Sequence, residues 1–288
     1  MVQFSPIGHK YESITPDGMQ WLGITTLISA LKQPFDRETR AQKSSTRVPS
    51  ADKPNKWYGI PAEEIKQAWD NESKRSTELG SWYHDKFERS LYTDGHSSGL
   101  TVYKPNIVDG IKYASDQRLS EGIYPEHLCY MASLGICGQS DMVIVKQGHI
   151  HIEDHKSSKE IQRRGYMLYD GIRKKMLKPI EHIEDCHLNH YSLQLSMYMY
   201  MIIRNNPHLV PGTLTLNHVK FEEGGQDKYG YPIYRRDDNN EPVVRDIERI
   251  ECRYMKSEVQ KIIEWLKDGN RDKILKHKNE SNSSSITE

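Results

Sequence analysis

The sequence is short of the features that mark several large protein classes. Its 40 lysines and arginines balance its 40 aspartates and glutamates, so the chain is not a histone-like polycation. Its longest apolar stretch, Leu195 to Ile203, falls well short of the roughly 20 residues that a membrane-spanning helix needs. The N-terminus also lacks the basic and apolar regions of a signal peptide. We therefore expect a cytoplasmic protein without a membrane partner.

Cysteine is scarce as well, and no two cysteines have the C-x-x-C spacing of a zinc ribbon or an iron–sulfur site. This absence favours four reduced thiols, Cys129, Cys137, Cys186 and Cys252. Although only 36% of the residues are apolar, the 17 tyrosines and 5 tryptophans indicate a folded chain with a very polar surface. A length of 288 residues fits one elaborated domain or two small ones.

The pattern along the chain predicts three segments. Residues 1–76 are predicted to form an N-terminal, mainly helical elaboration, which starts with a hairpin whose turn is Thr-Pro-Asp-Gly at 15–18 and contains a mobile basic loop at 37–56. Residues 77–270 are predicted to be an α/β core, and the polar residues 271–288 a disordered tail. Two helices are expected within 61–92 and another at 106–121. Three antiparallel strands, a helix at 190–204 and a strand at 213–221 follow.

Two predicted strands of the core carry acidic residues at the same level. If Val145 pairs with Ile150 across the turn at 146–148, Asp141 lies opposite Asp154, with Cβ atoms about 5 Å apart. Two carboxylates that close repel each other unless a proton or a cation lies between them, and a divalent cation with oxygen ligands removes the repulsion. Lys156 points to the same face as Asp154. The alternative is a structural ion pair at the end of a strand.

Two predicted helices add polar pairs with i, i+4 spacing, which places both members on one helix face. His84 and Glu88 form the first pair and could complete a metal site, although such a pair is more often a surface pair. Gln194 and Tyr198 form the second pair, in a segment that is otherwise apolar enough to be a buried helix.

Taken together, G-x-x-x-H-x-x-x-E at 80–88, G-x-x-D at 138–141, D-x-K-S at 154–157 and Q-x-x-x-Y at 194–198 resemble the PD-(D/E)XK nuclease superfamily. The resemblance is to its RecB-like and phage-type exonuclease branch, which includes the mitochondrial genome maintenance exonuclease. It covers about residues 79–200 in the expected order. Asp154 stands where many members have Glu, but D-x-K is common in this branch.

The resemblance implies an α/β fold, a restriction-endonuclease-like αβββαβ core whose mixed central sheet is flanked by helices. It implies metal-dependent hydrolysis of DNA phosphodiester bonds by an exonuclease of phage-type recombination, repair or replication. By position, the ligands of Mg²⁺ or Mn²⁺ would be His84, Asp141 and Asp154. Lys156 would be the catalytic lysine. Glu88 would support the site, and Gln194 and Tyr198 would position the substrate or the lysine. The cysteines do not match the iron–sulfur framework of some relatives, so no cluster is expected.

We expect DNA to be held through its phosphates by the basic segments 37–56 and 159–178. The candidate contacts are Arg40, Lys43, Arg163, Arg164, Lys174 and Lys175. Four aromatic residues could stack on unpaired bases, although helix packing is the better interpretation for at least Trp69 and Trp82. These residues are Trp57, Trp69, Trp82 and Tyr83.

Three alternatives stay open at this point. The chain could be a non-catalytic nucleic-acid-binding module on the same fold. It could be a structure-specific endonuclease or an RNA-directed nuclease that uses the same chemistry. It could also be a zinc protein that uses some of its histidines, such as His149, His151, His155, His187 and His190. The resemblance alone suggests partner proteins from recombination or replication.

Overall fold

Helices pack on both faces of a mixed β-sheet in the computed structural model, which describes residues 2–6, 10–14, 18–114, 117–168 and 171–284. The helices are α1 (Ile24–Ala30), α2 (Arg37–Thr46), α3 (Ala62–Thr93), α4 (His187–Asn205), α5 (Lys256–Trp265) and α6 (Arg271–Ser284). The strands are β1 (Val2–Ser5), β2 (Lys10–Ser13), β3 (Leu22–Gly23), β4 (Asn106–Val108), β5 (Ile111–Tyr113), β6 (Gly122–Met131), β7 (Ile136–Lys146), β8 (His149–Lys156), β9 (Val210–Phe221), β10 (Glu223–Gln226), β11 (Pro232–Tyr234) and β12 (Val244–Cys252). None of the helices in these ranges is both long and apolar enough to cross a membrane.

Strand β7 organises the central sheet, which has six strands within the described ranges. It pairs antiparallel with β6 along most of its length, antiparallel with β8 through residues 142–146, and parallel with β3 at residues 136–137. β8 pairs parallel with β9, and β9 pairs antiparallel with β12. The order of elements from α3 onward is therefore helix, small strands β4 and β5, the antiparallel strands β6 to β8, helix α4 and strand β9.

The two faces of the sheet bury different helices. Helices α1, α4 and α5 cover one face, where Leu27, Leu193 and Val259 share the main core with Ile150 and Ile152 of β8. Helix α3 covers the other face, where its buried side chains pack against β7 and β9. The alternation of side chains along β8 explains this division, because successive residues point to opposite faces.

The register predicted for the β7–β8 hairpin is confirmed. Val145 pairs with Ile150, and the ladder continues as far as Met142 and Glu153. Asp141 and Asp154 are the next residues of the two strands, at the point where the ladder ends. The sequence therefore placed these two carboxylates at the same level correctly.

The basic segment at 37–56 is not a loop throughout, because α2 occupies its first ten residues. The side chain of Asp36 accepts a hydrogen bond from the backbone N–H of Thr39, so it caps the helix, and Glu38 lies in the first turn. Ala41 is fully buried in a cluster with Ile65 and Ala68 of α3. The cap and the packing of Ala41 stabilise a helix in a segment whose weak periodicity had predicted a loop.

Other predicted boundaries also move. The two helices predicted within 61–92 are the single helix α3, so the domain boundary predicted at residue 77 falls inside a continuous helix. The helix predicted at 106–121 is replaced in part by β4 and β5, which pair with each other, and β5 also pairs with β1. The hairpin of β1 and β2 exists, but residues 15–17 of its predicted turn lie outside the described residues.

The tail predicted to be disordered from residue 271 is helical as far as Ser284, and the last four residues lie outside the described ranges. Leu275 is buried in the main core, and Arg271 donates a hydrogen bond to the carbonyl of Gln20. The apolar contacts of Leu275 and its neighbour Ile274 therefore anchor a segment whose composition is otherwise very polar.

Gly138 of β7 allows Tyr198 of α4 to lie directly against the sheet. A Cβ atom at residue 138 would lie 2.6 Å from Cε1 of Tyr198. We expect Gly138→Ala to lower the free energy of unfolding by about 1–3 kcal/mol, measured by urea titration. Gly225→Ala is the control, because nothing lies within 4 Å of its Cβ position. Equal stability of the two variants would contradict this packing.

His127 makes the fold sensitive to acid. Its Nε2 atom is buried without a hydrogen-bond partner in the described part of the chain, and burial, with a smaller effect of Lys112, lowers the pKa of His127 to about 4. The unfolded chain takes up this proton near pH 6.5, so stability falls as the pH drops from 6.5 towards 4. Between pH 7 and pH 5, we expect His127→Leu to lose about 2 kcal/mol less unfolding free energy than the parent chain. Parallel losses in urea titrations would rule out this role.

Candidate metal centre

Three neighbouring strands each place a carboxylate at one level of the sheet. Pro125 pairs with Met142 and His127 pairs with Ser140, so Glu126 of β6 lies opposite Asp141 of β7. Asp154 of β8 follows on the other side. Glu126 has a φ of 49°, in the left-handed region that costs a residue with a side chain about 1 kcal/mol or more. This strained backbone interrupts the ladder at the carboxylate itself.

His84 reaches this row from α3. Its Nδ1 atom lies 3.5 Å from Oδ2 of Asp141 and 3.6 Å from Oε1 of Glu126. Its Nε2 atom lies 3.2 Å from the carbonyl oxygen of His155. Because a carbonyl only accepts hydrogen bonds, Nε2 carries a proton and donates it there. A neutral His84 would therefore turn the lone pair of Nδ1 towards the two carboxylates, as metal-binding histidines do.

The ligand atoms of His84, Glu126 and Asp141 all lie within 4.8 Å of one another. Within the described ranges this is the one group of three such side chains that meets so closely. Asp141 is held in place, since its Oδ2 atom accepts a 2.8 Å hydrogen bond from the backbone N–H of His155. This closest group contains Glu126, which was not predicted, and does not contain Asp154, which the resemblance implies as a ligand.

Asp154 lies beside this group and forms an ion pair with Lys156. The side chain of Asp154 is 1% exposed, and its Oδ2 atom lies 2.6 Å from Nζ of Lys156. Its Oδ1 atom has no hydrogen-bond partner among the described residues. A buried carboxylate oxygen without a partner is costly, which marks the position as one that a further cation or a water would complete.

The carboxylates of the site favour the protonated forms of the groups around them. Burial lowers the pKa of His84, but Asp141 and Glu126 outweigh it, so the pKa of His84 rises to about 9. Burial also raises the pKa of Asp154, and the nearby charge of Asp141 raises it further. Burial likewise opposes the charge of Lys156, yet Asp154 and Asp141 together raise the pKa of Lys156. The site therefore attracts positive charge, which a proton on His84 or a metal ion would supply.

Two side chains that were not predicted hold Glu126. The amide of Gln139 donates a hydrogen bond to Oε2 of Glu126. The ammonium group of Lys112 donates a 3.2 Å hydrogen bond to the backbone carbonyl of Glu126 and lies 4.0 Å from Oε2. Lys112 is 7% exposed, so its charge acts on the site through little water.

The remaining predicted site residues lie further back. Glu88, one turn after His84 on α3, accepts a 2.9 Å hydrogen bond from the hydroxyl group of Tyr92. The side-chain amide of Gln194 donates a 3.0 Å hydrogen bond to the hydroxyl group of Tyr198. Tyr198 is 2% exposed and lies against Gly138, so this pair supports β7 from the side of α4.

The predicted DNA-contacting residues divide into two groups. Arg163, Arg164 and Lys174 form ion pairs with Glu248, Glu184 and Asp185, respectively. Arg40, Lys43 and Lys175 are exposed. The basic segment at 159–178 is therefore partly neutralised by carboxylates of the same chain.

The histidines of the zinc alternative bind other partners. His151 contacts the hydroxyl group of Thr213, and His190 lies 2.7 Å from Asp185. The His155 ring packs on Phe87 with ring centroids 4.3 Å apart, and burial lowers the pKa of His155 to about 4. None of these rings belongs to a close group of three ligands within the described ranges.

The donor set fits a divalent cation. Two carboxylate oxygens suit Mg²⁺ and Mn²⁺, and the imidazole nitrogen favours Mn²⁺ over Mg²⁺, because Mg²⁺ strongly prefers oxygen ligands. Glu126 was missed because the register argument was applied only to the two strands that carry Asp141 and Asp154. The register argument applied to β7 and β8 finds it when applied to β6 and β7 across the turn at Gly135, whose φ is 56°.

Glu126→Gln keeps the shape of the side chain and removes its charge. We expect this variant to bind Mn²⁺ about tenfold more weakly, or worse, in isothermal titration calorimetry. Glu121→Gln, at an exposed position just before β6, is the matched control and should bind as the parent does. Parental affinity in Glu126→Gln would remove this residue from the ligand set.

Comparisons of the chain with protein-family models, with curated proteins and with solved structures find no match. Its function is therefore inferred from its motifs and from the geometry of the site.

Proposed function

We propose that the chain is a metal-dependent deoxyribonuclease, a hydrolase of phosphodiester bonds that uses Mg²⁺ or Mn²⁺. The observation that carries this proposal is the arrangement of Asp141, Asp154 and Lys156. The buried carboxylate of Asp154 and the partly buried carboxylate of Asp141 stand at one end of a paired ladder, and a lysine lies 2.6 Å from the first of them. This is the arrangement that the D-x-K motif of PD-(D/E)XK nucleases implies.

The order of the elements supports the same proposal. Helix α3 carries His84, strands β7 and β8 carry the acidic residues and the lysine, and α4 carries Gln194. This order agrees with the restriction-endonuclease-like αβββαβ core that the resemblance implies. We assign the chain on this basis to the RecB-like and phage-type exonuclease branch, with DNA as its substrate and phage-type recombination, repair or replication as its setting.

A bound metal would be held by His84, Glu126 and Asp141, with Asp154 beside them. When bound, a divalent metal lowers the pKa of a water molecule and stabilises the negative charge that develops on the phosphate. The residues of the chain prepare this site in advance. The carbonyl of His155 orients the His84 ring, and the N–H of His155 fixes Asp141.

Lys156 places a positive charge of the chain itself beside the carboxylates of the site. Asp154 and Asp141 keep it protonated, so it donates hydrogen bonds and does not act as a base. Its Nζ atom also lies 5.4 Å from the centre of the Tyr191 ring, which limits its positions. From there it can bind a phosphate oxygen or orient the attacking water.

Cleavage of end-labelled DNA tests the proposal. Linear single-stranded and double-stranded DNA and closed circles are incubated with Mg²⁺, Mn²⁺ or EDTA. We expect linear DNA to be lost with either metal and spared in EDTA, and Lys156→Ala to cleave about a hundredfold more slowly or worse, because one charged donor of the site is removed. Lys146→Ala, exposed at the other end of the hairpin, is the matched control.

The outcomes separate the alternatives. Sparing of circles identifies an exonuclease, and cutting of circles identifies an endonuclease. Degradation of RNA but not of DNA would overturn the choice of substrate. DNA binding without cleavage under any metal, or full activity of a folded Lys156→Ala protein, would overturn the nuclease proposal. The first of these two results would favour a non-catalytic binding module.

A further inference from the structure

An aromatic surface lies at the end of α3 that is remote from the metal centre. Trp57 is buried in the middle of this surface. The centroid of the Trp57 ring lies 6.4 Å from that of Trp69 and 6.2 Å from that of Tyr231. Phe35 lies 5.9 Å from Trp69, and 65% of Phe35 is exposed. We call these four residues the aromatic platform. Phe35 is the outermost ring of the platform and faces solvent. A large apolar side chain at such an exposed position contributes little to the stability of the fold.

Positively charged side chains lie beside the platform, among carboxylates that include Asp70 in its pair with Arg37. Nζ of Lys56 lies 4.7 Å from the centre of the Trp57 ring and 4.0 Å from that of Tyr231. The same atom donates a 2.6 Å hydrogen bond to the carbonyl of Tyr229, which fixes its place. Arg40 and Lys43 are exposed on α2, which begins two residues after Phe35. Cations near an aromatic cluster whose outermost ring, Phe35, is exposed suit a partner with both phosphates and flat apolar faces.

The platform connects to the metal centre along α3. Trp69 and His84 are separated by fifteen positions of one continuous helix, or about 22 Å at 1.5 Å per residue. Between them, a Cβ atom at Gly80 would lie 3.1 Å from Oγ of Ser157, the residue after Lys156. The charge of Lys159 also acts on Lys56, whose pKa it lowers after the larger effect of burial. The chain that leaves the site thus comes close to the platform.

We infer that the aromatic platform binds the unpaired bases of single-stranded DNA, with Phe35 as the stacking face and the cations of α2 and Lys56 on the phosphates. The bases of a duplex are stacked on each other and offer no free face, whereas an unpaired base stacks on any exposed aromatic ring. Cleavage of the bound strand rests on the proposed nuclease function. Binding by the platform does not.

Fluorescence anisotropy in EDTA tests binding apart from cleavage. The probe is labelled oligothymidylate of about 20 nucleotides, which covers the site sizes known for such surfaces, and a duplex of equal length is the comparison. We expect Phe35→Ala to bind the single strand about tenfold more weakly and the duplex as the parent does. Phe35→Leu should behave as Phe35→Ala, and Phe35→Trp should bind as the parent does, because the ring rather than its apolar nature is required.

A matched control removes an exposed apolar side chain elsewhere. Ile107→Ala, on the small strand β4, should leave both affinities unchanged. Single-strand binding that is unchanged in Phe35→Ala, or restored by Phe35→Leu, would overturn the inference. Equal weakening of single-strand and duplex binding would also overturn it. So would a change of oligomeric state in Phe35→Ala without a change in DNA affinity, which would identify a protein interface.

These experiments distinguish a failure of the proposed nuclease function from a failure of single-strand binding by the platform. A chain that cleaves DNA but whose Phe35 variants bind the single strand normally keeps the nuclease function and loses the platform. A chain that never cleaves, yet loses single-strand binding in Phe35→Ala, keeps the platform and loses the nuclease function. An arm with an RNA oligonucleotide that binds more tightly than DNA would overturn the assignment of DNA as the strand.

Discussion

Repulsion between carboxylates that are buried or mostly shielded from solvent is the constraint on which the candidate site depends. Glu126, Asp141 and Asp154 come from three adjacent strands and meet at one level of the sheet, where little water is present to screen them. The fold tolerates them because Lys156 lies against Asp154, and because His84 faces the other two. Grouping several negative carboxylates away from water is unfavourable, so an arrangement of this kind is expected at a site that binds a cation.

The helix α3 joins the parts of the molecule that bear on function. It packs against β7 and β9, carries His84 to the carboxylates, and continues beyond the sheet to Trp69 and the contact with α2. A single helix is stiff over such a length, so it fixes the distance between the metal centre and the aromatic platform. The two separate helices that the sequence predicted would not fix that distance by themselves.

The sequence predicted those features that depend on neighbouring residues and missed those that depend on distant packing. The β7–β8 register follows from a short turn and an alternating pattern, so the level of Asp141 and Asp154 could be predicted. Glu126 belongs to a third strand whose left-handed residue no local pattern reveals. Its supporting side chains, Gln139 and Lys112, come from two different sheets. His84 lies in the close group with Glu126 and Asp141, and its role as a ligand, which the resemblance of its motif implies, stays a prediction.

The helices at both ends of the sequence share the central core. Leu27 of α1 and Leu275 of α6 belong to one cluster, and Arg271 reaches back to the carbonyl of Gln20. A ribosome adds residues in order, so a growing chain cannot close this core until Leu275 has been added. The strands that carry Glu126, Asp141 and Asp154 are synthesised much earlier than α6, which completes the same core. A chain cut short near residue 265 would therefore carry every motif of the site on an unfinished core.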